Sequence, residues 1–213
     1  MKDLPCIALA ATVWAYWACV GAMIVRTRRR TRKLSGIVPL QRIEQFMWIV
    51  WIPLVAAWMV LPYIAATSTS PLLGLPDFAR QAHVTALRWA AVATGFACLG
   101  LSIDCWLRMG KNWRMAVTPD QQTDLVTTGL YGLVRHPIYA LSILLMLCTV
   151  VVAPTVPVAV MALIHIMLMV AKARNEERFL CERHGDAYRR YLQRTGRFMP
   201  RLRARDAGKT ESP

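Results

Sequence analysis

The sequence predicts an all-α, polytopic membrane protein. Three observations carry this: apolar segments long enough to cross a bilayer, charge gathered between them, and a proline-marked hairpin joining the last two. More than half of the 213 residues are hydrophobic, yet the formal net charge is +14. Both hold because the two kinds of residue are segregated along the chain.

Pro5–Val25 and Phe46–Ala66 are each 21 residues without a charge, close to the roughly 20 needed to span the hydrocarbon core as a helix. Trp89–Ile103 is apolar but bounded by Arg88 and Asp104, so the third span includes an ionisable end. Pro137–Ala153 and Pro154–Ala171 together are too long for one crossing, and Pro154 and Pro157 favour a tight hairpin between them. About five spans are expected. In the tail, Phe179, Leu180, Ala187, Tyr188, Tyr191 and Leu192 recur at helical spacing. Gly185 ends one helix there before Asp186 begins the next. This predicts a cytoplasmic amphipathic segment, lying on the membrane or packed as a lid over a pocket.

Charge sets the expected orientation. With Arg26–Gln45 in the cytoplasm, 23 of the 26 Lys and Arg residues fall inside, leaving Lys2, Arg80 and Arg88 outside. The amino terminus is then outside and the carboxyl terminus cytoplasmic. Only Lys2 precedes the first span while Arg26–Lys33 follow it, the wrong flank for a cleaved signal peptide. The basic excess flanks membrane spans and no nucleic-acid motif accompanies it, so anionic lipid headgroups are the expected partner and nucleic acid is not. The six cysteines form no Cys-x-x-Cys pair, which indicates neither a disulfide framework nor a zinc site.

Two polar clusters stand at the ends of the last hairpin. The first is Leu125-Val-Thr-Thr-Gly-Leu-Tyr131-Gly-Leu-Val-Arg135-His136-Pro137-Ile138-Tyr139. Taken alone, Arg135-His136-Pro137 is an ordinary basic helix start, since proline suits the first turn. The surrounding Gly129, Tyr131, Gly132 and Tyr139 add close backbone approach, flat faces and hydroxyls, and the helix amino terminus offers N–H groups to an anionic group. The second cluster is Arg174-Asn175-Glu176-Glu177. Its carboxylates are either solvated partners of Arg135 or Arg174, or a site for a cationic or hydroxyl-rich ligand. Folding the fifth span back along the fourth returns Glu176 to the level of His136. Elsewhere, Asp104 and Arg108 are spaced for an i, i+4 ion pair, His165 for a hydrogen bond to a neighbouring helix, and Trp14, Tyr16 and Trp17 for helix packing.

The chain resembles the isoprenylcysteine carboxyl methyltransferases and their phospholipid methyltransferase relatives. The residues that carry this are Gly110-Lys-Asn-Trp113, Leu125-Val-Thr-Thr-Gly-Leu-Tyr131, Val134-Arg-His-Pro-Ile-Tyr139, Glu176-Glu177, Gly185-Asp-Ala-Tyr188-Arg-Arg-Tyr191 and Arg197-Phe-Met-Pro200. They lie in order over residues 100–202. The resemblance implies an integral-membrane enzyme that uses S-adenosylmethionine without a Rossmann domain, consistent with the lack of a strand followed by Gly-x-Gly. It maps the cofactor pocket onto Thr123, Asp124, Leu125, Val126, Tyr131, His136, Pro137, Ile138, Tyr139 and Glu176. It maps a substrate-facing basic residue onto Lys172, with Arg174 as a neighbour for the same task. Lys172 stands where eukaryotic members have arginine, which removes bidentate carboxylate binding. No metal is implied. His136 and Glu177 are the nearest groups for a base, and neither is assigned as a catalytic acid or base.

One membrane domain is expected over 1–213, with amino-terminal helices over 1–88, a methyltransferase-like region over 89–202 and a disordered tail over 203–213. The expected activity is methylation of a lipophilic acceptor at the cytoplasmic face: an isoprenylcysteine-type carboxylate, a lipid amine or a hydrophobic thiol. In a bacterium that places it in the inner membrane, in a eukaryote in the endoplasmic reticulum. The rivals are an NADPH-dependent, sterol-reductase-like oxidoreductase and a non-catalytic member of the fold.

Overall fold

The computed structural model describes residues 3–31, 38–116 and 125–201. Thr123, Asp124 and the expected tail 203–213 lie outside the described residues. Five α-helices form the fold: α1 Leu4–Thr31, α2 Arg42–Thr67, α3 Ala82–Met109, α4 Pro137–Val152 and α5 Val156–Arg194. Among the described residues there is no β-strand; Val134 and Gly196 form an isolated bridge.

Helices α1, α2, α3 and α5 are long and apolar enough to cross a membrane, whereas α4 has 16 residues. At 1.5 Å per residue α4 reaches about 24 Å, short of the roughly 30 Å hydrocarbon core. The five expected spans are therefore four full-length helices and one shorter one. Pro137 occupies the first turn of α4 after the non-helical His136, so the polar chain before it begins below the full depth of a crossing. Ala153–Thr155 then makes the tight turn into α5, as the prolines predict.

The third helix starts well before the apolar run at Trp89 because Arg88 is satisfied inside the bundle. It is 1% exposed. Its two terminal nitrogens hold Asp3 at 3.0 and 2.5 Å, Nε donates to the Val152 carbonyl at 2.8 Å and Nη1 to the Ala79 carbonyl at 3.0 Å. This arginine, which bounds the third apolar run, joins the start of α1 to the α4–α5 turn. A buried guanidinium is tolerable only when so completely paired.

Helix α3 packs along α4 and α1, α1 along α2, and α5 closes against α2 and α4. Gly95 permits the close approach in the middle: a Cβ there would stand 3.1 Å from a Leu145 methyl and 3.2 Å from one of Leu9, the small-residue contact usual between membrane helices. Trp58 is fully buried at the centre and donates to Thr149 Oγ1 at 2.9 Å. His165 meets Ser142 Oγ at 3.0 Å, a bond between α5 and α4. The Asp104–Arg108 pair forms at 2.6 Å. Tyr16 packs against Trp17, Trp58 and Trp106; Trp14 is half exposed, and its indole donates to the Met59 carbonyl.

Past Ala171 the fifth helix continues beyond its apolar run to Arg194. It turns at Gly185 (φ 51°, ψ −125°), a left-handed conformation that favours glycine. The segment after this kink buries Tyr188 and Tyr191 over the polar end of the bundle. It is packed against the bundle as the expected lid.

Candidate active site

The site forms where the α4–α5 hairpin brings its two polar clusters together. Pro137 starts α4, so His136 stands just outside the helix, and its imidazole stacks on Tyr139 with ring planes 6° apart. On α5, Glu176 and Glu177 are adjacent and take different roles. Glu177 is 8% exposed. It accepts from Arg135 Nε at 2.9 Å and from Arg197 Nη2 at 2.5 Å. Burial alone would raise the Glu177 carboxyl, but its contacts with His136, Arg197 and Arg135 outweigh that and hold it well below the usual carboxylate range.

This ion cluster ties down a strap. Residues 195–201 return to the chain just before α4: the Arg135 N–H donates to the Gly196 carbonyl at 2.8 Å and the His136 N–H to the Arg197 carbonyl at 3.1 Å. Arg135 also donates from Nη1 to the carbonyls of Leu192 and Thr195. The Tyr191 hydroxyl donates to the Tyr131 carbonyl at 2.5 Å. Gly196 is obligatory here, since a Cβ would fall 1.7 Å from the Met199 carbonyl oxygen.

Glu176 faces the other way. Tyr139 Oη donates to its Oε1, His136 Nδ1 lies 3.6 Å from Oε2, and Lys172 Nζ lies 3.7 Å from Oε1. These groups border a cavity of about 250 Å³. Leu125, Val126, Tyr131, His136, Pro137, Ile138, Tyr139, Lys172 and Glu176 all line it. Arg174 does not; it is exposed. Tyr188 and Tyr191 of the kinked segment close one side, and Tyr16, Trp17, Trp48 and Trp51 of α1 and α2 form an aromatic wall. Burial, with Cys105 and Glu176 nearby, raises the Tyr131 phenol, which stays protonated.

Glu44, Arg114 and Trp51 are among the lining residues that escaped the sequence reading. Glu44, in the first turn of α2, is 1% exposed and lies 3.7 Å from Lys172 Nζ. Its signal was available, as a lone carboxylate entering a membrane helix, but it merged with the basic connection before it. Arg114 lines the cavity on a turn without helical periodicity. Trp51 is part of an apolar span whose inward face cannot be chosen from composition. Lys172 is more engaged than a substrate-facing residue would be: besides the two carboxylates, it donates to the Met115 carbonyl at 2.6 Å.

The bundle and this cavity define an integral, multi-pass membrane protein of methyltransferase-like type. Residues 92–182 match the isoprenylcysteine carboxyl methyltransferase (ICMT) family. The chain is also similar to the cobalt-zinc-cadmium resistance protein CzcN of Cupriavidus metallidurans, with 33% identity over 106 residues. That alignment spans 49% of this chain and 47% of the relative, so this chain covers about half of that protein's length.

Proposed function

We propose that this protein is an S-adenosylmethionine-dependent methyltransferase that acts on a lipophilic acceptor at the cytoplasmic face of its membrane. The observation that carries the reading is the convergence of Tyr131, His136, Tyr139 and Glu176 on one cavity, which is bordered on another side by the tryptophans of α1 and α2. A polar pocket beside an apolar wall suits a soluble donor meeting a membrane-borne acceptor.

The lining also fits the donor's chemistry. Its amino acid carries one charge of each sign, and Glu176 with Arg114 offers the complementary pair in one cavity. The buried hydroxyls of Tyr131 and Tyr188 make no hydrogen bond among the described residues, so they suit a nucleoside's polar atoms. When bound, the donor supplies an activated methyl group on a sulfonium. The protein's part is to hold the nucleophile in line and exclude water. Tyr188 and Tyr191 do the second, and the strap keeps His136 in place for the first. The positive-inside bias of the sequence supports the cytoplasmic assignment of this end.

The test is calorimetric binding of S-adenosylmethionine to the detergent-purified protein, with NADPH as comparator. Affinity on the order of micromolar, or about −8 kcal/mol, lost in His136→Ala and Glu176→Ala, is the expected result. A folded protein that binds NADPH instead, or neither compound, would overturn the proposal.

A further inference from the structure

We propose that the inner end of the cavity is a blind chamber with Tyr16 at its floor, which measures the acceptor's apolar chain and takes about eight extended carbons. This rests on the methyltransferase reading and sets the chain class of its acceptor.

The helices close the chamber sideways. Helix α1 packs on α2, α2 on α5, α5 on α4, α4 on α3 and α3 again on α1, so they form a ring around it. His136, Lys172 and Glu176 stand at one end, under Tyr188 and Tyr191. The inner end carries Trp17, Val20, Trp51, Leu168 and Met169. That lining suits hydrocarbon rather than the donor's amino acid or sugar.

The floor is made of Tyr16, Trp106 and Ser142, which line the cavity and are buried. The Tyr16 and Trp106 ring centroids are 5.3 Å apart. Beneath them the bundle is solid. Trp58 lies 6.5 Å from the Tyr16 ring and 5.1 Å from that of His165. Its indole is bonded to Thr149, and His165 to Ser142. Trp58, Thr149 and His165 are fully buried, so nothing long can pass between them. Tyr16 also stands ten residues before Arg26, the first charge on α1. That interval is about 15 Å, half of a hydrocarbon core of roughly 30 Å.

Depth follows from helical rise. Trp51 lies seven residues past Glu44 on α2, and Met169 seven before Glu176 on α5; each interval is about 10 Å. A C–C bond of about 1.5 Å in a tetrahedral zigzag advances a chain by about 1.25 Å. From the level of Glu176 to the floor there is therefore room for about eight carbons. A single-chain amphiphile of that reach fits whole. A chain of membrane-lipid length does not, because its surplus methylenes must lie among the polar groups at the mouth instead of in the bilayer. Each surplus methylene weakens binding by about fourfold relative to the bilayer.

The test titrates the full chain in phosphatidylcholine vesicles with terminally brominated octanol and follows tryptophan fluorescence. Saturable quenching is expected, since Trp17, Trp51 and Trp106 line the chamber. Competition by unbrominated alcohols, compared at equal mole fraction in the bilayer, should hold up to octanol and then fall about fourfold with each further methylene. Tyr16→Ala, which removes the floor ring, should move that fall to longer chains; Tyr16→Phe, which keeps the ring, should not. Quenching that does not saturate, competition that stays level through hexadecanol, or a break that Tyr16→Ala leaves in place would overturn the inference. If Tyr16→Ala fails to fold, the wild-type length profile decides. Calorimetry with S-adenosylmethionine separates the two claims. A length break without donor binding would overturn the methyltransferase reading, and a bound donor without a break would overturn the chamber alone.

Discussion

Replacing Glu177 by glutamine keeps its shape and removes the charge that closes the strap. The carboxylate is 10% exposed at its side chain and Arg135 is 11% exposed, so the variant leaves a buried guanidinium without its counter-ion. Breaking a buried pair from one side costs about 3–5 kcal/mol. The lower end applies, because Arg135 keeps the carbonyls of Leu192 and Thr195. Arg197 is 32% exposed and adds little, since solvent compensates it. The expected loss is therefore about 3 kcal/mol, or about 6–12 °C in Tm for a chain of this size. Thermal unfolding in detergent, followed by tryptophan fluorescence, reads it. Hydrogen exchange at the Arg135 and His136 amides, which donate into the strap, should accelerate in the same variant. Arg174→Gln, at an exposed position outside the cavity, is the control and should change nothing. If Glu177→Gln melts with the wild type and both amides stay protected, the ion cluster does not hold the strap.

Gly196→Ala should prevent the strap from docking while leaving the membrane helices formed; helical circular dichroism near wild type together with fast exchange at the same two amides is the expected pattern. Arg88→Leu should destabilise the bundle by several kcal/mol, of the order seen for a one-sided loss of a buried ion pair, and Asp3→Asn should lower the melting temperature less, because Arg88 retains the Val152 and Ala79 carbonyls. Acid should loosen the strap. Glu177 has a folded-state pKa below its unfolded value, so its contribution is fully present above about pH 4.3 and is lost as pH falls further toward the folded value. Amide exchange at Arg135 should rise in that window in the wild type and be flat in Glu177→Gln.

The apolar runs and their prolines carry most of the fold, because hydrocarbon burial needs no exact partner. The break at Gly185, the Asp104–Arg108 pair and the bond from His165 to a neighbouring helix are all local or one-helix inferences, and each is present. Charge was harder to read. Arg88 looks like a boundary because its partners, Asp3 and the Val152 carbonyl, are remote in sequence. Glu176 and Glu177 look alike in the chain, and only the side of α5 that each occupies separates a strap-holding carboxylate from a cavity-facing one. Glu44 is easily passed over for a related reason: its partner Lys172 lies on α5, with α3 and α4 between them in the chain.

The strap also sets an order of events in synthesis. Tyr131, His136 and Tyr139 are synthesised before residues 195–201, and Arg135 and His136 reach their final amide partners only when Gly196 and Arg197 arrive. The helices that cross the membrane thus precede the pocket they support, and a chain interrupted after Arg194 carries every membrane helix but an unfastened site. The seven residues 195–201 thus fasten a site whose lining precedes them in the chain.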